Sequence, residues 1–329
     1  MKQRSGQHSI LVVRLGAMGD ILHALPAVQS LKRSFPENRL VWAMAPKWRP
    51  LVEGNPFLDE VISFNRRDTK KLVTWWRQLR NLQPGKAIDF QGLIQSALVG
   101  RASKTQQLFG FDRLSVREPL AAMLYTDRLS PTARHVVDRN LQLAEFAGAH
   151  ALTKDVWLPA GIEEGNLPCG PFVLTNPLAG WKSKQWPLAN YELVAQRLQR
   201  EGVELVANVP PQTAGEFQDL KHVRYHRSSI GGLVAATRRA TAVLGVDSGP
   251  LHLAAALGKP GVALFGPTDP ERNGPYGGSI EVMRAAGAGT TYKRHDEIHP
   301  SMLQLAPEVV AERLLLCLKN SAAAAEARS

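Results

Sequence analysis

The sequence predicts an α/β protein built from two doubly wound, parallel-sheet domains. Three observations support this: short apolar runs rich in β-branched residues alternate with amphipathic helical patterns, the alternation stops once and restarts, and 329 residues exceed one comfortable core. Such alternation is typical of βαβ units, whose helices cover a parallel sheet. In open sheets of this kind, ligands bind beyond the carboxyl ends of the strands.

Four predicted strands organise the first half of the chain. They cover residues 10–15, 39–45, 60–64 and 86–90, and helical patterns cover 27–35 and 70–82 between them. Segment 158–171 is rich in Gly and Pro, which favours a linker over another helix or strand. We therefore assign residues 1–160 to a first Rossmann-like domain.

The alternation of strands and helices restarts after this linker. Strands are expected over 172–177, 203–210, 241–247 and 261–267, and helices over 190–202, 231–240 and 250–258. A last helical pattern covers 307–319 and precedes an Ala-rich polar stretch, which is typical of disorder. The second Rossmann-like domain is assigned to residues 161–305, a C-terminal helix to 306–320 and a tail to 321–329.

Composition narrows the functional classes. With 44% hydrophobic and 21% charged residues, the sequence predicts a soluble globular protein, and no apolar stretch approaches the roughly 20 residues of a membrane span. The apolar run near the N-terminus is shorter than the core of a signal peptide. Cys169 and Cys317 are distant in sequence and offer neither a disulfide framework nor a metal-ligand spacing. We therefore expect a reduced, cytoplasmic protein.

The charge balance favours anionic partners. The chain has 40 Lys and Arg residues against 29 Asp and Glu, a formal net charge of +11. Such an excess suits phosphorylated ligands, nucleic acids or an anionic membrane surface. Nucleic acid is disfavoured because the sequence lacks a long Lys/Arg block, a zinc-finger spacing and an RNP-type aromatic motif. A basic surface that only confers solubility is the alternative.

Residues 246–252, VDSGPLH, form the most informative candidate site. A strand ends at Val246, a tight turn follows, and Pro250 suits the first helical position. The free N–H groups and dipole of such a helix start favour an anion such as a pyrophosphate. The residues of this turn are Asp247, Ser248 and Gly249, with His252 one turn further on. The alternative is an Asp or Ser cap before an ordinary core helix, with His252 packed and hydrogen-bonded.

A second candidate lies in the loop 176–187, NPLAGWKSKQWP, between a predicted strand and a predicted helix. Lys182 and Lys184 stand where phosphate-binding lysines are found. The small residues Ala179 and Gly180 permit close approach of the backbone to a ligand. The alternative is a solvated loop with incidental charges.

Residues 14–20, RLGAMGD, turn through two glycines after the first strand. This spacing does not match the G-x-G-x-x-G of dinucleotide-binding folds, and the Asp20 carboxylate would repel phosphate there. If the second domain binds the nucleotide instead, Asp20 is available as a general base for a second substrate. The alternative is a cap for a helix that begins near Ile21.

Basic residues are concentrated in the first domain. They occur in 66–71, RRDTKK, and at Arg113, Arg117 and Arg134, where they either form a solvated face or meet an anionic substrate. The helix that contains KKLVTWWRQLR joins two tryptophans to basic residues. Contact with a membrane surface is one interpretation, and packing of both tryptophans in the core is the favoured one.

The sequence resembles the heptosyltransferases of glycosyltransferase family 9, and most of all their type I members. The resemblance covers nearly the whole chain and rests on the order and spacing of five motifs: RLGAMGDILHALPAV, IDFQGLIQSALV, VREPLAAMLY, KQWP and DSGPLHLAAALGKPGVALFGPTDP. It implies a GT-B fold, in which two Rossmann-like domains face each other across a cleft. The first would bind the acceptor and the second the nucleotide sugar, with the C-terminal helix packing back on the first.

The resemblance also implies roles for individual residues. Asp20 matches the aspartate of the family's GD turn, the catalytic base, and Lys184 matches the lysine of K-x-W-P, which contacts the donor diphosphate. Further donor contacts are implied at Ala179, Gly180, Glu216, Asp247, Ser248, Gly249 and His252. Acceptor contacts are implied at Arg66, Arg67, Gln91 and Arg117. Type I members carry hydroxyl residues where this chain has Ala179 and Gly180, a departure that bears on side-chain contacts to phosphate.

The implied reaction is an inverting transfer of L-glycero-D-manno-heptose from ADP-heptose to a Kdo hydroxyl of Kdo-lipid A, without a metal or cofactor. One base takes the hydroxyl proton, and cations or a helix dipole stabilise the departing diphosphate. We expect a monomer that is cytoplasmic and peripheral to the inner membrane, where the anionic acceptor lies. The rival interpretations are a nucleotide-sugar epimerase of the same architecture and a non-catalytic module that binds nucleotides or glycans.

Overall fold

The computed structural model describes residues 9–65, 69–211, 220–291 and 293–326. The chain divides into two compact units, Met1–Pro159 and Ala160–Ser329. This division falls one residue before the boundary that the sequence predicts. Within the described residues, no helix is both long enough and apolar enough to cross a bilayer.

The first unit is a doubly wound domain around one parallel sheet. Its elements are β1 (Ser9–Val13), α1 (Met18–Ser34), β2 (Arg39–Met44), β3 (Glu60–Ser63), α2 (Thr69–Leu82), β4 (Lys86–Asp89), α3 (Ile94–Ala102), β5 (Gln107–Phe111), β6 (Asp127–Leu129) and α4 (Val136–Phe146). Short 3-10 turns cover Pro46–Leu51 and Pro119–Leu124. The strand order is β3-β2-β1-β4-β5-β6, so the order reverses between β1 and β4.

The second unit repeats this topology. Its elements are β7 (Phe172–Asn176), α5 (Leu188–Gln199), β8 (Glu204–Val209), β9 (Val223–Arg227), α6 (Ile230–Arg239), β10 (Ala242–Val246), α7 (Gly249–Ala256), β11 (Gly261–Phe265), α8 (Pro270–Asn273), β12 (Ile280–Arg284), α9 (Pro300–Leu303) and α10 (Pro307–Glu326), with a 3-10 turn over Lys182–Lys184. The order β12-β11-β10-β7-β8-β9 places the switch point between β7 and β10. Because every described strand pair in both sheets is parallel, the predicted fold class of two Rossmann-like domains is confirmed.

Burial explains why these segments form strands and helices. The central strands β1 and β10 are buried along their whole length, as expected for a sheet covered on both faces. In the first unit, Trp75, Leu79 and Ala97 of α2 and α3 belong to the core on one side of the sheet. Helices α1 and α4 pack against each other. In the second unit, α5 and α10 cover the sheet together.

Four of the described strands are not predicted from the sequence: β5, β6, β9 and β12. Three of these lie at sheet edges, where exposure allows polar residues and weakens the hydrophobic pattern. The fourth, β5, contains Gly110, where an added Cβ would lie 2.3 Å from the Tyr125 ring. That glycine interrupts the apolar pattern because the ring occupies the space of a side chain.

The C-terminal helix is longer than the sequence predicts. Helix α10 continues to Glu326 through Ala-rich residues that we expected to be disordered. It packs on α5, β10 and β11, and Val310, Ala311 and Leu314 are buried in the core of the second unit. Its expected packing on the first domain stays a prediction.

The close approach at Gly161 generates a stability prediction. Gly161 has a φ of +87°, and an added Cβ would lie 2.4 Å from the backbone nitrogen of Ala235, whereas Gly202 has a φ of +74° with nothing within 4 Å. We expect Gly161→Ala to lower the free energy of unfolding by about 3 kcal/mol and Gly202→Ala by about 1 kcal/mol, since only the first adds a clash to the backbone cost. Urea unfolding curves measure both, and equal losses would contradict the steric argument.

Candidate active site

The switch point of the first sheet brings the loops after β1 and β4 together. The Arg14 guanidinium donates to the carbonyl of Phe90, and the backbone N–H of Leu15 donates to Oε1 of Gln91 over 2.7 Å. The carboxyl ends of adjacent parallel strands meet at one edge, which is why two segments 76 residues apart in sequence share these bonds. The predicted acceptor residue Gln91 therefore has its side-chain oxygen committed to the turn that carries Asp20.

Asp20 lies in the first turn of α1. The helix begins at Met18 with Ala17 as its N-cap, so the start predicted near Ile21 is three residues late. Oδ2 of Asp20 accepts a hydrogen bond from the Ala17 N–H over 3.0 Å and lies 2.6 Å from Nη2 of Arg14. The side chain of Asp20 is nevertheless 44% exposed, while that of Arg14 is 11% exposed. The carboxylate thus caps the helix and is also open to a ligand.

The buried carboxyl of Asp89, which is not among the predicted site residues, holds the loop after β4. Asp89 ends β4 and is fully buried, and it accepts hydrogen bonds from the Gln91 N–H over 2.8 Å and from the Ser96 and Tyr125 hydroxyls over 2.7 Å each. Burial raises the pKa of Asp89 despite these donors. Its signal in the sequence is an acid at the end of an apolar strand, two residues before Gln91 in IDFQGL.

Asp247 is the centre of the site in the second unit. It follows β10, and its side chain is 7% exposed. Nζ of Lys184 lies 2.6 Å from Oδ2, the Thr268 hydroxyl donates to the same oxygen over 2.6 Å, and Nε2 of His252 lies 3.7 Å from Oδ1. Loops after β7, β10 and β11 therefore converge on one carboxylate at the switch point.

Electrostatics keep this buried carboxylate ionised. Burial by itself would raise the pKa of Asp247, but the nearby His252 ring and the ammonium of Lys184 outweigh that effect and hold the pKa well below its usual range. A buried ion pair needs such close partners because both charges lose hydration. The pair orients the Lys184 side chain, which is 16% exposed.

Helix α7 begins directly beside this pair. Ser248 is its N-cap and Gly249 its first residue, so Pro250 occupies the second helical position and not the first, which the sequence predicts. The Ser248 hydroxyl is buried and has no hydrogen-bond partner among the residues that the structure describes. Helix N-termini bind anions through free N–H groups and the helix dipole. An N-terminus, a hydroxyl and an ammonium thus lie around one carboxylate.

The loop after β7 contributes an aromatic contact that the sequence does not predict. Nζ of Lys184 lies 4.3 Å from the centre of the Trp181 ring, and the Arg294 guanidinium lies 5.2 Å from it. Ala179 is buried, and its carbonyl accepts from Nε2 of Gln185 over 3.1 Å, whereas Gly180 is exposed. Trp181 thus attracts two cations to one side of the site.

The structure describes most of the predicted site residues, but three of them lie outside the described ranges. Lys184, Asp247, Ser248 and His252 are brought together as described. Arg117 is exposed and follows β5. Arg66, Arg67 and Glu216 lie outside the described residues, so their predicted contacts stay predictions.

The ion pair generates a prediction on stability. Lys184→Met leaves the Asp247 charge buried without its cation, and we expect a loss of about 3 kcal/mol in the free energy of unfolding. The double variant Lys184→Met/Asp247→Asn should lose less, because no buried charge remains. The matched control Lys32→Met breaks a more exposed pair with Asp59 and should cost about 1 kcal/mol or less. Urea unfolding measures all three, and a double variant as unstable as Lys184→Met would contradict the argument.

Comparisons with known proteins agree with this architecture. A family described as glycosyltransferase family 9 (heptosyltransferase) matches residues 72–300. The lipopolysaccharide heptosyltransferase 1 of Pseudomonas aeruginosa is 30% identical over an alignment of 296 residues, and the match covers 82% of each chain.

Two solved structures share the fold. Escherichia coli heptosyltransferase WaaC with ADP has a TM-score of 0.75 at 23% identity, covering 92% of this chain and 98% of that one. A family 9 glycosyltransferase from Veillonella parvula has a TM-score of 0.80 at 19% identity, covering 95% and 98%. The structural neighbours have the GT-B fold that the sequence predicts. With the family match over more than half of the chain, the protein belongs to glycosyltransferase family 9, the heptosyltransferases, and is a glycosyltransferase.

Proposed function

We propose that this enzyme transfers L-glycero-D-manno-heptose from ADP-heptose to a Kdo hydroxyl of Kdo-lipid A, with inversion at the sugar carbon. The observation that carries the proposal is the group of Lys184, Asp247 and the N-terminus of α7 at the switch point of the second sheet. Family membership supports heptosyl transfer in the synthesis of the lipopolysaccharide core. The relative named lipopolysaccharide heptosyltransferase 1 supports the type I reaction.

The second unit is proposed to bind the donor. The Lys184 ammonium, the Ser248 hydroxyl and the N–H groups at the start of α7 are donors suited to a diphosphate. Asp247 would repel the diphosphate if it stood alone, but its charge is balanced by the Lys184 ammonium 2.6 Å away. We assign Asp247 the role of orienting Lys184. Ala179 and Gly180 would contact the donor through their backbone, and Glu216 would contact the ribose.

The first unit is proposed to bind the acceptor. The exposed carboxylate of Asp20 is the group that accepts the hydroxyl proton, and Arg14 with the Ala17 N–H fixes its orientation. Arg66, Arg67 and Arg117 would meet the carboxylates and phosphates of the acceptor. Gln91 keeps its amide nitrogen for a sugar hydroxyl, since its oxygen accepts from Leu15.

The proposed reaction is a single displacement. Asp20 removes the proton of the acceptor hydroxyl, the oxygen forms a bond to the anomeric carbon, and the bond from that carbon to the ADP oxygen breaks. ADP leaves with the electron pair, and Lys184 and the α7 N-terminus stabilise the developing charge. Attack opposite to the leaving group inverts the anomeric carbon.

The rival interpretations differ in what they require. An epimerase acts on the nucleotide sugar without an acceptor and is not favoured by membership of a glycosyltransferase family. A non-catalytic binding module would bind ADP-heptose without turnover. A turnover assay with ADP-heptose and Kdo-lipid A, read by product mass, separates the transferase from the epimerase and from the binding module.

We further propose that the enzyme is a cytoplasmic monomer, peripheral to the inner membrane that holds its acceptor.

Asp20→Asn tests the base. It keeps an acceptor for the Ala17 N–H but cannot take a proton, so we expect kcat to fall by about 100- to 10,000-fold with little change in the Kd for ADP-heptose. Asp59→Asn is the matched control, because Asp59 also pairs with a cation, over 2.8 Å, and accepts a backbone N–H, from Leu40. Turnover near the wild-type rate in Asp20→Asn, or equal losses in both variants, would contradict the assignment.

Lys184→Gln tests the donor site. Loss of a charged hydrogen bond to the diphosphate should raise the Kd for ADP-heptose by about 10- to 100-fold. Lys182→Gln removes an exposed cation of the same 3-10 turn and is expected to change the Kd less than threefold, on the scale of about 0.5 kcal/mol for surface charges. Calorimetric titration of the folded variants measures both, and unchanged affinity in Lys184→Gln would exclude its role.

A further inference from the structure

Six exposed apolar side chains of the first unit lie on α2, on α3 or in segment 114–124. They are Val73 and Trp76 on α2, Leu98 on α3, Leu114 after β5, and Leu120 and Met123 in the 3-10 turn Pro119–Leu124. Phe146 and Leu152 are exposed elsewhere on this unit. Leu114 is 93% exposed and Met123 70% exposed. The two tryptophans of α2 thus differ, since Trp75 is buried against Phe64 whereas Trp76 is exposed. The expectation that both pack in the core holds for Trp75 alone.

These elements cover the same side of the sheet. Their inward residues, including Leu79, Ala97 and Ala121, belong to a single core cluster. Helix α2 contacts α3, and α3 contacts the 3-10 turn. The exposed apolar side chains therefore lie on the outer surface of one continuous layer, which we call the apolar–basic face.

The charges of this face are predominantly positive. Its exposed cations are Lys70, Arg77 and Arg80 on α2, Arg101 on α3, and Arg113 and Arg117 after β5. Residues 69–82 and 94–102, which form α2 and α3, contain no Asp or Glu. Segment 113–124 contains one acid, Glu118, and its carboxylate accepts from the Ile94 N–H over 2.7 Å. The face thus combines cations with exposed apolar groups.

We propose that the apolar–basic face docks on the surface of an anionic lipid bilayer. Apolar side chains gain by entering the boundary between headgroups and acyl chains, and the surrounding cations gain from the negative potential of an anionic leaflet. Trp76 suits that boundary, where tryptophan is enriched. The inference rests on the proposed peripheral location of the enzyme and names the surface that produces it.

Vesicle sedimentation with the full chain tests the proposal. We expect binding to vesicles of phosphatidylcholine mixed with phosphatidylglycerol, much weaker binding to phosphatidylcholine alone, and a loss of binding as salt is raised. Equal binding to both kinds of vesicle, or binding to neither, overturns the proposal.

Two pairs of variants locate the surface. Arg77→Gln/Arg80→Gln should lower binding to the anionic vesicles by about tenfold or more, whereas Arg197→Gln/Arg200→Gln, with the same spacing on the second unit, should leave it unchanged. Leu120→Ser/Met123→Ser should weaken binding by about tenfold, with Leu303→Ser/Leu316→Ser as the control for exposed apolar residues elsewhere. Equal losses in variants and controls overturn the proposal.

Light scattering on the same variants tests whether a second copy of the chain, and not a bilayer, covers the apolar–basic face. If Leu120→Ser/Met123→Ser changes the oligomeric state and leaves vesicle binding intact, the face joins two copies of the chain, and the proposal is wrong. An unchanged oligomeric state with reduced vesicle binding supports it.

Turnover separates this proposal from the proposed reaction. With a deacylated acceptor in solution, the face variants should keep the wild-type rate, and with the acylated acceptor in anionic vesicles they should lose about tenfold. Absence of turnover on either acceptor in the wild type contradicts the proposed function, and vesicle binding still decides the docking surface. Equal rates of variants and wild type on vesicles contradict the docking surface alone.

Discussion

The topology of the two sheets is the constraint on which both candidate sites depend. The strand order reverses between β1 and β4 in the first sheet and between β7 and β10 in the second. The loops after these strands therefore leave the carboxyl end of each sheet in opposite directions. In the first unit these loops carry Asp20 and Gln91, and in the second they carry Lys184 and Asp247. Side chains distant in sequence meet because parallel strands end together, and no further contact is needed to explain their proximity.

The same topology supports opposite electrostatics in the two units. In the first, the turn after β1 presents Asp20 to solvent, while the buried carboxyl of Asp89 holds the neighbouring loop through hydrogen bonds and its pKa is raised by burial. In the second, the buried carboxylate of Asp247 is ionised because Lys184 and His252 face it. One switch point thus presents a carboxylate, and the other presents a cation beside a helix N-terminus.

The sequence predicted most of the fold, and its failures have physical causes. Buried strands such as β1 and β10 carry an unbroken apolar run, whereas edge strands such as β9, with VRYHR, carry polar residues that hide their pattern. Lys184 and the turn of Asp247 were predictable from their position between strand and helix. Asp89 and Trp181 were missed, because the hydrogen bond from Tyr125 to Asp89 and the approach of Arg294 to the Trp181 ring involve segments distant in sequence.

The structure does not force a choice between the two interpretations of Asp20, a cap of helix α1 and a general base. A residue that only capped α1 would need no more than its contact with the Ala17 N–H, yet Arg14 holds the same oxygen from a position that is itself 11% exposed. That arrangement leaves one carboxylate oxygen outside both contacts, with 44% of the side chain in solvent. A base must be held by groups that do not occupy the oxygen that takes the proton. Capping and the proposed catalysis are therefore compatible uses of one carboxylate, since the cap engages Oδ2 and the proposed base would use the other oxygen.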